Sequence, residues 1–295
     1  MELKVNGLIK RFGDFTAVND VELLMTRGVY GLLGVNGAGK TTLMRMLCTL
    51  ISPTEGDITC DGNDIYDMGA SYRKLIGYLP QEFGYYPEFS VEDYLHYVAA
   101  LKGIRPIVAQ KRTKVLLEWT GLANVAKKKM KKLSGGMKRR AGIAQAMLND
   151  PKILILDEPT AGLDPRERVR FRNLLGELSG NRLILLSTHI VSDVEYVANE
   201  IFMMKSGRII RKGTSEEIVD SMKERVWECV VESEDVAAMM KRFRISNMRS
   251  EGRKVRLRVI SLASPLEGAV PVRASLEDAF LYYFGEKAGE KNAEI

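Results

Sequence analysis

Three clusters of residue types in this chain of 295 residues could do chemistry. The first is Gly34-Val35-Asn36-Gly37-Ala38-Gly39-Lys40-Thr41-Thr42, which fits the pattern G-x-x-x-x-G-K-[ST] at every fixed position. Its glycines let the backbone curl so that successive N–H groups face one hollow. A helix beginning at Lys40 would turn its positive end toward the same hollow. The Lys40 ammonium can then reach outer phosphates, and the Thr41 hydroxyl can ligate magnesium. The second cluster is Asp157-Glu158, at the end of the apolar run Ile153-Leu154-Ile155-Leu156. Carboxylates at the C-terminal end of a buried parallel strand sit where open α/β sheets bind ligands. Asp157 can hold a divalent cation, and Glu158 can orient an attacking water or take its proton. The third is Ser134-Gly135-Gly136, which opens a helix with Ile143, Ala144, Ala146, Met147 and Leu148 on its apolar face. A hydroxyl and open backbone N–H groups at a helix start make a second anion site. One bound nucleotide has no obvious use for two such sites on one chain.

Two further residues gain weight from position. Gln81 follows the strand Leu75–Leu79 and Pro80, and His189 follows the buried strand Arg182–Leu186 and Ser187-Thr188. Both fall where a strand would end near the same crevice. His189 is one of two histidines; the other, His96, lies within a helix and reads as ordinary. Phe12 precedes a Gly13-Asp14 turn. It can stack on a base through its π-face or serve as a core or edge aromatic, and position alone leaves both open.

The elements that must position these groups alternate as expected for an α/β chain. Strands are expected over Leu3–Phe12 and Thr16–Leu24, and Val29–Leu33 leads directly into the glycine-rich loop. Leu43, Met44, Met46, Leu47 and Leu50 recur at helical spacing after it. Residues 84–132 differ: Ser90 with Asp93 caps a helix carrying Val91, Tyr94, Leu95 and Val98, and a second runs from Ile107 to Trp119. Tyr85, Tyr86, Pro87 and Phe89 crowd the entrance of this helical insertion, either as a docking patch or as its own core. The lysine run over 127–132 reads as a solvated face. A helix is expected over 166–178 and a hairpin about Ser206-Gly207, and Thr214 with Glu217 forms a capping box. The nucleotide-binding part is expected to close near residue 222. A compact α+β unit follows over 223–284, with an alternating strand at Val255, Leu257 and Val259 and a final helix capped by Ser275. Residues 285–295 are expected to be a disordered tail.

Composition sets the outer bounds. Hydrophobic residues make up 45% and charged residues 28%, ordinary for a soluble globular protein, and the net charge of +6 suits an anionic partner without selecting one. Three scattered cysteines point to buried reduced thiols rather than a disulfide frame. No apolar run approaches the roughly 20 residues needed to cross a bilayer. The first residues read as a strand start and not a signal peptide.

Taken in order, the motifs resemble the ATP-binding cassette superfamily, and in particular a stand-alone nucleotide-binding subunit of a transporter. The resemblance covers residues 1 to 220. Gly34 to Thr42 resembles the Walker A loop, with Gly34, Asn36, Gly37, Ala38, Gly39, Lys40, Thr41 and Thr42 as nucleotide contacts. Phe12 resembles the aromatic that stacks on adenine, and Gln81 the Q-loop glutamine. Leu133 to Met137 resembles the signature motif that other phosphate-loop enzymes lack. Ile153 to Glu158 resembles the Walker B strand, Ala161 to Asp164 the D-loop, and His189 the switch histidine. Met137 stands where the family usually has glutamine, so any role of that glutamine is in doubt here, while Ser134 and the glycine N–H groups keep their contacts. Ala274-Ser275-Leu276-Glu277-Asp278-Ala279-Phe280 resembles the ending of drug- and antibiotic-exporter subunits.

The resemblance implies a phosphate-loop ATPase core with an N-terminal antiparallel β subdomain, a helical subdomain over 84–148 and a small α+β appendage. It implies ATP and magnesium as ligands, with Thr41, Gln81 and Asp157 around the metal and Glu158 and His189 as catalytic residues. Two cassettes, identical or paralogous, would pack head to tail, with Ser134, Gly135 and Gly136 of one covering the ATP of the other and Asp164 beside them. A separate transmembrane permease would be the partner, placing the chain on the inner face of the cell membrane, and no nucleic acid is expected. The alternative is a soluble cassette ATPase acting on ribosomes or nucleic acid. Such proteins carry paired cassettes or a coiled-coil insertion, neither of which is present in this sequence. A non-catalytic interaction module is a further alternative, disfavoured by the intact Lys40, Asp157, Glu158 and His189.

Overall fold

The computed structural model describes residues 1–285, so the tail expected over 285–295 lies, past Gly285, outside the described residues. The chain divides into two compact units, Met1–Arg211 and Lys212 onward. That division falls ahead of the expected boundary near 222 and assigns the capped helix Ser215–Asp220 to the second unit.

The first unit is built on a sheet in the order Arg208–Gly213, Glu200–Lys205, Gly28–Leu33, Leu183–Thr188, Ile153–Asp157, Ile76–Leu79. Its inner pairings are parallel. Gly28–Leu33, Ile153–Asp157 and Leu183–Thr188 are buried at every position, which is why they read as continuous apolar runs rather than alternating ones. Each large aliphatic side chain so buried contributes about 1.5–3 kcal/mol. Register decides what stands at the sheet's C-terminal edge. Leu33 pairs with Thr188, Ser187 with Asp157, and Leu156 with Leu79. The residues immediately beyond the strands, Gly34, His189, Glu158 and Pro80, therefore emerge side by side.

A second sheet in the same unit is antiparallel, in the order Phe15–Met25, Leu3–Phe12, Glu55–Cys60, Asn63–Asp64. In its hairpin, Phe12 is the register partner of Phe15 across the Gly13-Asp14 turn, so the two rings project from the same face. One core serves both sheets, with Leu3, Leu8 and Val21 packed with Leu43, Met44, Leu47, Ile153 and Leu183.

The helical insertion forms as its pattern predicts. Ser90 and Asp93 make a reciprocal capping box on Val91–Leu101, and Pro106 opens the helix Pro106–Trp119. The aromatics at its entrance serve partly as its own packing: Tyr94 is buried, and Tyr86, Phe89 and Tyr97 form one ring cluster, with Tyr86 half exposed. Within the lysine run, Lys129 and Lys131 pair with Glu88 at 2.8 and 2.5 Å on an exposed face.

The second unit carries an antiparallel sheet ordered Arg244–Glu251, Lys254–Ile260, Val226–Glu232, Val270–Pro271. Leu257 and Val259 face a core with Cys229 and Met239, while Arg256 lies outward, the alternation expected from the sequence. Strand Arg244–Glu251 was not expected, because it is half exposed to exposed along its whole length and so carries no apolar alternation. All three cysteines are buried and free. Among the described residues, no helix is long and apolar enough to cross a membrane.

Candidate functional site

The glycine-rich loop joins strand Gly28–Leu33 to helix Lys40–Leu47. Gly39 sits at φ 103°, where an added Cβ would run into the Ala17 carbonyl oxygen, so glycine is required for conformation and for space. The loop lines a cleft of about 430 Å³ whose walls are Phe15, Ala17, Asn36 to Thr42, Gln81 and Glu158. Lys40 is buried and donates to the carbonyl oxygens of Gly34 (2.7 Å) and Val35 (3.1 Å). Burial draws its ammonium below the ordinary lysine range, against the pull of Glu158 and Asp157.

The Asp157–Glu158 pair departs from ordinary packing in two ways. Glu158 holds a left-handed backbone at φ 47°, a conformation that costs a residue with a Cβ about 1–3 kcal/mol. That bend turns its carboxylate into the cleft. Its Oε1 stands 3.6 Å from the Lys40 ammonium, and its Oε2 is 3.0 Å from Nδ1 of His189. The Asp157 side chain is fully buried, and only its Oδ1 is hydrogen bonded, by the Ser187 hydroxyl at 2.5 Å. Asp157 Oδ2 and Glu158 Oε1 accept no hydrogen bond, although buried. Buried carboxylate oxygens without donors are costly unless a cation or ligand donor answers them. The donor set therefore fits a divalent cation bound with phosphate, with Thr41 supplying a hydroxyl and Asp157 a carboxylate.

The segments that carry Glu158 and His189 are tied together from behind. Asp193 is buried and accepts hydrogen bonds from the hydroxyls of Thr160 and Thr188, the second at 3.2 Å. Ser187 also receives the Glu158 backbone N–H at 3.0 Å. One carboxylate and one hydroxyl thus fix both strand ends relative to each other.

Most of the residues expected at the site meet there: Asn36 to Thr42, Gln81 and Glu158 line the cleft, Gly34 stands behind it with its carbonyl on the Lys40 ammonium, and Asp157 and His189 are joined to it through Ser187 and Glu158. Others lie elsewhere. Phe12 is 52% exposed with the Lys10 ammonium over its ring and does not line the cleft, whereas Phe15 does. Phe15, the register partner of Phe12 across the Gly13-Asp14 turn, is the aromatic that lines the cleft. Asp164 caps helix Pro165–Leu178, accepting from Glu167 N at 2.9 Å. Ser134 caps helix Gly135–Met147, accepting from Met137 N at 3.2 Å. Ser134 and Gly135 are exposed, and none of Ser134, Gly135 and Gly136 lines this chain's own cleft. Gly136 is pressed against the Glu167 carboxylate, which would have to move to admit a side chain at that position. Ser187, Asp193, Thr160 and Arg139 are site neighbours that pattern reading did not single out.

Comparison with known proteins bears on this arrangement. Residues 18–161 match the ABC transporter family. The chain is 38% identical over 221 residues to the Nod factor export ATP-binding protein I of Cupriavidus pinatubonensis, covering 74% of this chain and 68% of that one. It is 37% identical over 221 residues to the daunorubicin resistance ATP-binding protein DrrA3 of Streptomyces coeruleorubidus, covering 73% and 69%. Among solved structures, an ATP binding subunit of an ABC transporter superposes with TM-score 0.68 and 29% identity, over 75% of this chain and 93% of that one.

Proposed function

Because this chain belongs to the ATP-binding cassette family of transporter ATP-binding proteins, we propose that it binds and hydrolyses ATP to drive an exporter through a separate membrane permease. The observation that carries the reading is the pairing of Lys40 with Glu158 at 3.6 Å on the wall of the glycine-rich cleft, with His189 on the other Glu158 oxygen at 3.0 Å.

In this reading the backbone N–H groups of 34–42 cradle the β- and γ-phosphates, and the N-terminus of helix Lys40–Leu47 faces their charge. Lys40 leaves the Gly34 and Val35 carbonyls to pair with the outer phosphates. Phe15, with Phe12 next to it, stacks on the base. Magnesium, held by Thr41 and Asp157 with Gln81 nearby, would neutralise charge on the phosphates. Glu158 accepts a proton from water as the water oxygen attacks the γ-phosphorus and the bond to the β–γ bridging oxygen breaks, giving ADP and phosphate. His189 holds Glu158 through Nδ1 and offers its ring to the departing phosphate.

The Ser134 helix end explains the need for a second chain. A helix N-terminus leaves backbone N–H groups without intrahelical partners, and this one stands away from its own cleft. Two chains packed head to tail would set each Ser134-Gly135-Gly136 against the other's γ-phosphate. Loss of that phosphate would loosen the pair and convert hydrolysis into opening and closing. The aromatic entrance of the helical insertion, near Gln81, is the proposed contact with the permease, and the chain would sit at the inner membrane face.

The test is phosphate release by the purified chain with ATP and magnesium, alongside light scattering of Glu158→Gln. The wild type is expected to hydrolyse ATP. The variant should bind ATP with little loss of affinity and accumulate as an ATP-bound dimer. Hydrolysis by Glu158→Gln at the wild-type rate would remove Glu158 as the base.

A further inference from the structure

Arg139 lies on helix Gly135–Met147, two residues beyond the last residue of the signature motif, and is 6% exposed. It does not line the cleft. Burial lowers its guanidinium to about 10, so it remains a cation at neutral pH. Its hydrogen bonds all go to backbone carbonyls. Nε donates to Pro159 (3.2 Å), and Nη1 donates to Pro80 (3.0 Å) and Gln81 (2.7 Å). Nη2 donates to Asp157 and to Glu158 (2.6 Å). A guanidinium has five N–H donors in a rigid fork, and here each is matched to one carbonyl.

Four of these carbonyls, those of Pro80, Gln81, Glu158 and Pro159, lie just beyond the ends of adjacent strands, and the fifth belongs to Asp157, the last residue of strand Ile153–Asp157. Beyond a strand end the sheet no longer supplies partners for backbone carbonyls, and the two segments carry Gln81 and Glu158 to the cleft. The left-handed turn at Glu158 is thus held from behind by a side chain of a different element. Arg140 ties the same helix in the other direction: Nη1 donates to Thr120 (3.0 Å), and Nη2 meets the Glu167 carboxylate at 3.1 Å, the group that Gly136 packs against. The helix whose N-terminus is Ser134 is therefore coupled through one side chain to both loops of its own cleft.

We infer that Arg139 is a positioning residue for hydrolysis. Its guanidinium holds the Gln81 segment and the Asp157–Pro159 turn in register with the helix that begins at Ser134. A shift of that helix then moves Gln81 and Glu158 together. The inference rests on the ATPase reading above. Lysine cannot replace the arginine, since a single ammonium has three donors and no fork.

The experiment compares full-length wild type with Arg139→Lys, measuring affinity for ATP with magnesium, kcat and KM, and amide hydrogen exchange. Arg139→Lys should keep ATP affinity within about threefold while kcat falls about 100-fold, the split expected when geometry and not binding is lost. Exchange should quicken at 81–83 and at 157–158 and 160–161, and stay unchanged at 34–42. A kcat within about threefold of wild type, or equal losses of affinity and turnover, would overturn the inference. A second measurement needs no variant. In the unmodified chain, amides of 81–83, 157–158, 160–161 and 137–140 should share one denaturant dependence of exchange, as parts of one opening unit. Separate dependences would refute the coupling even if Arg139→Lys cannot fold. A wild type that releases no phosphate would instead strike the ATPase reading, while the exchange result still decides whether the three segments are joined.

Discussion

The acids at Asp157 and Glu158 and the acid at Asp278 are buried to nearly the same degree, with 0%, 5% and 1% of their surface exposed. Their surroundings differ. In the second unit, Asp278 receives both Nε (3.1 Å to Oδ1) and Nη2 (2.7 Å to Oδ2) of Arg258, the Ser246 hydroxyl (2.6 Å) and the Ser275 N–H (2.8 Å). Every lone pair that matters is answered from within the unit. In the first unit, Asp157 Oδ2 and Glu158 Oε1 are buried with no hydrogen bond, and Glu158 is held in a strained backbone conformation. A carboxylate whose partners are all present is a structural joint. A buried carboxylate with one oxygen that accepts no hydrogen bond is kept at a cost to folding, which a bound ligand would offset.

The largest effects should appear where charge is removed from the unanswered cluster. Asp157→Asn should lower ATP hydrolysis about a hundredfold or more, as expected for loss of the proposed magnesium ligand. Its melting temperature should stay level or rise, because a buried, poorly paired charge has gone. A clear drop in melting temperature would erase the distinction between the two clusters.

The mirror experiment is Asp278→Ala. Removing one partner of a buried pair should destabilise the second unit by about 3 kcal/mol, while ATP affinity of the folded chain is unchanged. Calorimetry and nucleotide titration on the same sample check both halves. The same cluster should show in acid. Burial alone would raise Asp278, but hydrogen bonds from Arg258, Ser246 and Ser275 outweigh it and hold the carboxyl below its ordinary 3.8. Its contribution is then fully present above 3.8 and fades as pH falls below that value. Loss of Asp278 should flatten the acid limb of the second unit's stability profile.

Smaller effects concern the edge of the cleft. Phe15→Ala should weaken ATP binding by about 1 kcal/mol, roughly fivefold, with a lesser loss for Phe12→Ala. The reverse order would make Phe12 the principal base contact. The smallest effect is expected for Met137→Gln, since Met137 contributes its backbone N–H to the Ser134 cap. Turnover should change by less than about twofold, the range of substitutions that disturb no named interaction.

Much of the site was legible in the sequence because its signals are short. The glycine-rich loop, the Asp157-Glu158 pair after an apolar strand, and the caps at Ser90, Ser134, Thr214 and Ser275 each occupy a few adjacent residues, and all form as expected. What was missed depends on distance along the chain. Phe12 and Phe15 flank the same turn, and their order at the cleft depends on how the hairpin lies against the glycine-rich loop. Strand Arg244–Glu251 has no apolar periodicity, since its sheet supplies the pairing while its side chains stay largely exposed. Arg139 looked like one of many basic residues because arginine is ordinarily exposed.

The sequence by itself determined most of the strands and helices, where the capped helices begin, and which residues are suited to phosphate chemistry, because glycine conformation, capping and hydrophobic period act within a turn or two of chain. The tertiary structure alone decided that Glu158 meets His189 and Lys40, that Ser187 and Asp193 brace the strand ends, and that Arg139 joins two loops. Those contacts follow from strand register, which aligns Gly34, Glu158 and His189 from distant parts of the chain along one edge. They also follow from the fixed reach of a few side chains across that edge, and neither leaves a local pattern to read.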